Sequence, residues 1–183
     1  VSLTGFTQND SLAQAYAAQK NKKALQDEQN ELNFQQFFFE ALTQKAIGNY
    51  DKAITALENC QNIHADDVAV NFELSKNYLA QEKYFEAEAF VQKALKETPE
   101  DLFLLEHLKT IYIQEKKYKE ALGIQEKIVS KKPSTQPDLI ILYIRNNRIE
   151  DARNLLIELE KNGVLSERLT PFKESLFSTS ELE

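Results

Sequence analysis

Methionine and tryptophan are absent from this chain, and only one cysteine, two histidines, four glycines and four prolines occur in its 183 residues. Each shortage excludes something. A single thiol, Cys60, rules out an internal disulfide framework and leaves no cysteine spacing that holds a metal. No run approaches the roughly 20 apolar residues that a bilayer span needs, so membrane insertion is not expected. Basic residues are outnumbered, with a formal net charge of −7 and acids spread throughout, which argues against nucleic acid or an anionic membrane face as principal partner. The local cluster Lys116, Lys117, Lys119 reads as solvated helix surface. Without even an initiator methionine, the chain is expected to be a processed or trimmed product. Val1 to Gln8, short, apolar and rich in small residues, resembles the tail of a secretory signal, which would place the protein outside the cytoplasm, in the periplasm. A lone thiol is tolerable in either redox setting, so the compartment, cytoplasmic or exported, stays open.

So few breakers, with apolar spacing that is helical almost throughout, predict an all-α protein. A fixed period runs along it. Tyr50, Tyr84 and Tyr118 stand 34 residues apart, each followed three positions later by Ala53, Ala87 and Ala121, while Ala65, Pro99 and Pro133 keep the same interval. The expected organisation is an N-terminal segment 1–33, repeat 1 at 34–67, repeat 2 at 68–101, repeat 3 at 102–135, a shortened repeat 4 at 136–165, and a capping helix or tail at 166–183. In the first unit helices are expected near Phe34 to Ile47 and Tyr50 to Ile63, with Gly48 supplying a left-handed C-terminus. Residues Ser11 to Glu31 carry sparse apolar positions and predict only a weakly anchored helix. Ala152 follows Ala121 by only 31 positions, so the fourth unit has lost about one helical turn. Thr170-Pro171 can start a helix that covers the open end.

The small residues have a packing purpose. Helices approach within about 8 to 10 Å only where one offers little side chain, and Ala53, Ala87, Ala94 and Ala121 supply that. A tyrosine at the turn buries its ring while its hydroxyl reaches water or backbone. Ser75, Tyr84, Ala87, Ala94 and Pro99, in that order, give the sequence a close resemblance to the tetratricopeptide repeat family, strongest over repeats 2 and 3 and extending over about 34–159. The resemblance implies a right-handed α-solenoid of helix-turn-helix units. Departures are Glu40 where a leucine is usual, Lys109 where a small residue is usual, Gln125 where an apolar residue is expected, and Ala65 in place of proline.

In that family the first helices of the units line a concave face. The matching slots hold Gln35, Phe38, Leu42 and Lys45, then Ala69, Phe72, Lys76 and Leu79, then Phe103, Glu106, Thr110 and Ile113, seven of the twelve apolar. Such a groove is covered by a partner peptide or helix, or by the chain's own residues 11–31; the plainer alternative is that Phe38, Phe72 and Phe103 pack between repeats. The family's carboxylate clamp, which needs two lysines, two asparagines and an arginine, is missing, because its slots hold Phe38, Leu42, Glu73, Phe103 and His107. No catalytic pair is visible, since His64 and His107 lie 43 residues apart in different repeats. Cys60 occupies the packing slot of Ala94 and Ile128 and reads as a buried apolar residue. Asp66-Asp67 and Glu100-Asp101 suit helix capping better than a calcium loop.

The sequence therefore predicts a non-enzymatic scaffold or adaptor with no cofactor, metal or catalytic residue, binding protein or peptide through Phe38, Leu42, Lys45, Phe72, Lys76, Leu79, Phe103, Glu106, Thr110 and Ile113. The alternative is a structural segment of a larger repeat protein or a self-assembling array, in which the ends self-associate. A helical-repeat RNA reader fits less well, lacking a basic concave face.

Overall fold

The computed structural model describes residues 8–164 and 169–178, and among these the chain is helical with no strand. The signal-like reading of residues 1–8 falls, apart from Gln8, outside them. Among the described residues nine α-helices follow one another: α1 (Gln8–Ala46), α2 (Tyr50–Ile63), α3 (Val68–Ala80), α4 (Tyr84–Glu97), α5 (Leu102–Gln114), α6 (Tyr118–Lys131), α7 (Asp138–Arg145), α8 (Ile149–Lys161) and α9 (Thr170–Ser178), with a short 3-10 turn at Pro133–Thr135. They form antiparallel pairs, α1 with α2 through α7 with α8, stacked as a right-handed α-solenoid.

The period acts through packing. Ala53, Ala87, Ala121 and Ala152 are fully buried, and Cys60, Ala94 and Ile128 share one buried slot in successive pairs. Each turn inside a pair closes alike. Gly48, Glu82, Lys116 and Asn147 take positive φ of 79°, 58°, 63° and 58°, and the next backbone N–H returns to a carbonyl five residues back, as from Lys83 to Tyr78 and from Lys117 to Tyr112. Only the first of these turns uses glycine, so three side chains sit where an L-residue is strained. Between pairs, Asp67 caps α3 by accepting from Val70 N, and Asp101 caps α5 by accepting from Phe103 N and Leu104 N. The fourth pair is short because α7 has eight residues where α3 and α5 have thirteen. Leu169 and Leu176 bury their side chains as α9 packs on α8.

The first helix does not begin near Phe34. It runs unbroken from Gln8 for 39 residues, because nothing between there and Gly48 breaks it and side-chain bonds four residues apart, Gln26 to Asn30 and Gln29 to Asn33, support it. Residues 11–29 are all exposed, so this stretch projects past the stack and does not lie in the groove. The outer face of α1 also explains Glu40. Gln36, Glu40 and Thr43 are exposed, whereas Val70, Leu74 and Asn77 in α3, and Leu104, Leu108 and Ile111 in α5, are the buried residues at the same slots. In α3 and α5 those slots face the preceding pair, and among the described residues nothing packs on them in α1, where polar side chains stand.

Candidate functional site

The first helices of the pairs, α1, α3, α5 and α7, lie side by side along one trough. Its α1–α3 section is closed by charge. Glu73, with a side chain 12% exposed, accepts from Lys45 Nζ at 2.6 Å and from Lys76 Nζ at 2.5 Å, and the Lys76 ammonium stands 4.3 Å from the centre of the Phe72 ring. Two cations offset the desolvation of one carboxylate, so Glu73 is held by its neighbours. Phe38 is half-buried and stacks on Phe34, Leu42 is half-buried, and Leu79 is half-buried against the core.

Further along, His107 on α5 meets Phe72 edge-on and lies 2.8 Å from Ser75 Oγ. The Ser75 hydroxyl donates its one proton to the Ala87 carbonyl at 2.6 Å, so the imidazole Nε2–H must donate to Ser75. Burial, and next the Lys76 charge, push the His107 pKa down to about 4 against a smaller opposite pull from Glu73, and the ring is neutral. Cys60 is equally quiet: burial, then Asp67, raises its pKa to about 11, and its thiol donates weakly to the Phe34 carbonyl.

The two departures on α5 and α6 belong together. Lys109 Nζ donates to Gln125 Oε1 at 2.7 Å and pairs with Glu106, while Gln125 Nε2 donates to the Thr135 carbonyl at 3.0 Å. Gln125 is fully buried, so the cation replaces a small residue because a buried amide replaces an apolar one. Around this pair the trough opens into a cleft of about 350 Å³ lined by Glu106, Thr110, Ile113, Ile141 and Leu142. Ile141 is shared with a second cleft of about 760 Å³ between α7 and α9, where Ile144, Ile149, Phe172 and Leu176 meet Arg145 and Arg153.

Of the predicted contact residues, the structure brings Glu106, Thr110 and Ile113 together in one cleft. Phe38, Phe72 and Leu79 pack into the array, and Lys45 and Lys76 serve Glu73. Phe103 is 80% exposed at the start of α5 and lines neither cleft. Sequence mapping missed Ile141 and Ile144 because the fourth unit is short. Counting back from its alanine finds them, since they precede Ala152 by the same intervals at which Thr110 and Ile113 precede Ala121.

Residues 46–111 match the sequence profile of the tetratricopeptide repeat family. Residues 46–111 are tetratricopeptide repeats. No curated protein sequence gives a significant match. The array is similar to a solved structure of MamA, residue 41 to the end, from Desulfovibrio magneticus RS-1, with TM-score 0.62 and 16% identity over 68% of this chain and 72% of that one. It is also similar to a tetratricopeptide repeat protein from Parabacteroides merdae, with TM-score 0.67 and 16% identity over 75% of this chain and 56% of that one. A third likeness, to the Thermobaculum terrenum O-GlcNAc transferase, takes in only 22% of that protein at 11% identity and TM-score 0.53. The tetratricopeptide architecture is that of a protein-interaction scaffold. Among the described residues no group of three or more His, Cys, Asp and Glu side chains is placed to hold a metal, and no helix is long and apolar enough to cross a membrane.

Proposed function

We propose that this tetratricopeptide array is a non-enzymatic adaptor whose trough takes a peptide or helix of a partner protein, gripped chiefly between α5 and α7. One observation carries the reading: apolar side chains at Ile113 and Ile141 stay open beside two adjoining clefts, whereas Phe38 and Phe72, nearer α1, are consumed by packing. Ile113 is 39% exposed and Thr110 is exposed next to it, so an apolar partner side chain can enter without displacing core. Lys45, Glu73 and Lys76 neutralise one another for the most part, which leaves the α1–α3 section as a rim that orients a ligand.

The alternative, an array joined to further repeats through its ends, is disfavoured by the polar face of Gln36, Glu40 and Thr43 and by the packing of α9 over α8. The test immobilises the wild-type chain and a Thr110→Glu, Ile113→Glu variant, passes native extract of the source cells over both, and identifies captured proteins by mass spectrometry. Circular dichroism verifies that both are folded. A protein retained by the wild type alone is the expected outcome. Equal capture by the two, or none by either, refutes the trough as the binding surface.

A further inference from the structure

The cleft of about 760 Å³ between α7 and α9 has a chemistry of its own. Ile144, Ile149 and Phe172 give it apolar walls, Arg145 and Arg153 reach into it, and no aspartate or glutamate lines it. The adjoining α5–α7 cleft has the opposite bias. Glu106 and Asp138 line it with one cation, Lys109, whose ammonium is already engaged by Glu106 and Gln125. The sign of the charge therefore changes across α7, from acidic to basic, in a chain whose net charge is −7.

The three arginines at this end of the array are not equivalent. Arg148 pairs with Asp151 at 2.6 Å, and Arg153 pairs with Glu150 while donating through Nε to the Leu176 carbonyl at 2.8 Å. Among the described residues no carboxylate pairs with Arg145, whose exposed guanidinium lies over the Tyr118 ring, 5.6 Å from its centre. Stacking occupies the flat face of a guanidinium, whereas its N–H groups point outward in the plane. The donors of Arg145 are thus held at the cleft with a geometry that suits one carboxylate in a two-pronged contact. Such a pair gains strength beside apolar walls that exclude water. A single spare cation does not suit a polyanion, which needs a stripe of them and which the overall negative charge repels. What it complements is one acid next to one apolar side chain. Arg145, in the last turn of α7, lies in none of the clamp slots held here by Phe38, Leu42, Glu73, Phe103 and His107.

We infer that the α7–α9 cleft is the anchor subsite of the trough: it takes an apolar side chain of a partner peptide and Arg145 receives an Asp or Glu of that peptide close by. The inference rests on the adaptor reading and adds to it both the chemistry of the partner and its direction, acidic side towards α9 and away from Glu106 and Asp138.

Selection of a displayed library of random dodecapeptides on the immobilised full chain tests this. Enriched peptides are expected to carry Asp or Glu within about four positions of a large apolar residue. One such peptide, labelled and followed by fluorescence anisotropy, should bind Arg145→Glu at least about tenfold more weakly than wild type, and exchanging its acid for lysine should restore binding to Arg145→Glu. Ser175→Trp, which fills the cleft from an exposed position on α9, should abolish binding by bulk alone. Circular dichroism verifies that both variants are folded. Peptides without an acidic preference, or binding that ignores Arg145→Glu yet is lost in Thr110→Glu, Ile113→Glu, would overturn the inference and leave the trough reading standing. Binding that appears only after residues 179–183 are deleted would make the chain's own end the occupant and overturn it too. A library without binders would overturn it together with the adaptor reading.

Discussion

Removing Lys109 and Gln125 singly and together tests whether two departures from the repeat pattern are one structural unit. Lys109→Ala restores the usual small residue but leaves the fully buried Gln125 Oε1 without its donor. A buried acceptor left unpaired costs about 1 to 3 kcal/mol, and losing the half-buried lysine stem adds to this. Gln125→Leu restores the usual apolar residue but strips the Thr135 carbonyl of its donor and leaves the Lys109 ammonium with Glu106 alone, again about 1 to 3 kcal/mol. In the double variant neither orphan remains at the helix pair, so the combined loss should fall short of the sum by about 1 to 2 kcal/mol. Urea unfolding followed by circular dichroism measures all four corners of the cycle. Each kcal/mol is worth roughly 2 to 4 °C of melting temperature in a chain of this size, so thermal scans provide a second reading. Losses that add to within about 0.5 kcal/mol would show the two residues to be independent and refute the explanation of both departures.

Ala87→Leu should overpack the α3–α4 contact and cost about 1 to 3 kcal/mol, because Ala87 is fully buried and its carbonyl holds Ser75. Ala89→Leu, exposed on the same helix, is the control, and an equal loss at both sites in urea melts contradicts the packing assignment. Lys116→Gly should stabilise the array by about 0.5 to 1 kcal/mol by relieving a φ of 63°, and a loss of stability would count against strain at that turn. His107 titrates at about 4 in the fold against an ordinary 6.5, so protonation favours the unfolded chain. Its contribution is complete above pH 6.5 and is lost as pH falls towards 4. At about 1.4 kcal/mol per unit, and after discounting for partial exposure, the loss is about 1 to 2 kcal/mol. The stability difference between wild type and His107→Asn, in which titration of the carboxylates cancels, should therefore shrink between pH 7 and pH 4.5. A pH-independent difference contradicts the assigned environment.

The repeat was legible because each slot imposes one demand on packing: Tyr84, Ala87, Ala94 and Pro99 state the demand of their own pair without help from distant residues. The length of α1 was not, since helix propensity with only sparse apolar positions says little about where a helix starts, and only the absence of any breaker before Gly48 marks it. Glu40 looked anomalous until its slot proved to be the outer face of the stack. Lys109 and Gln125 each looked like a defect because the bond joining them crosses from α5 to α6, sixteen residues away, a contact that a slot-by-slot comparison does not test. The trough illustrates the same limit. Glu106, Thr110 and Ile113, taken from those slots, line one cleft. They could not show that Phe72 would be shared between Lys76 and His107, nor that the shortened α7 would extend the opening towards α9.

Site-specific photo-crosslinking inside the source cells tests the binding trough most directly. A photoreactive amino acid replaces Thr110, at the mouth of the α5–α7 cleft, or Lys127, exposed on the outer helix α6. The adaptor account predicts a discrete crosslinked partner from position 110 that is absent from position 127 and lost when Ile113→Glu is added. No crosslink from position 110, or the same products from both positions, would contradict it.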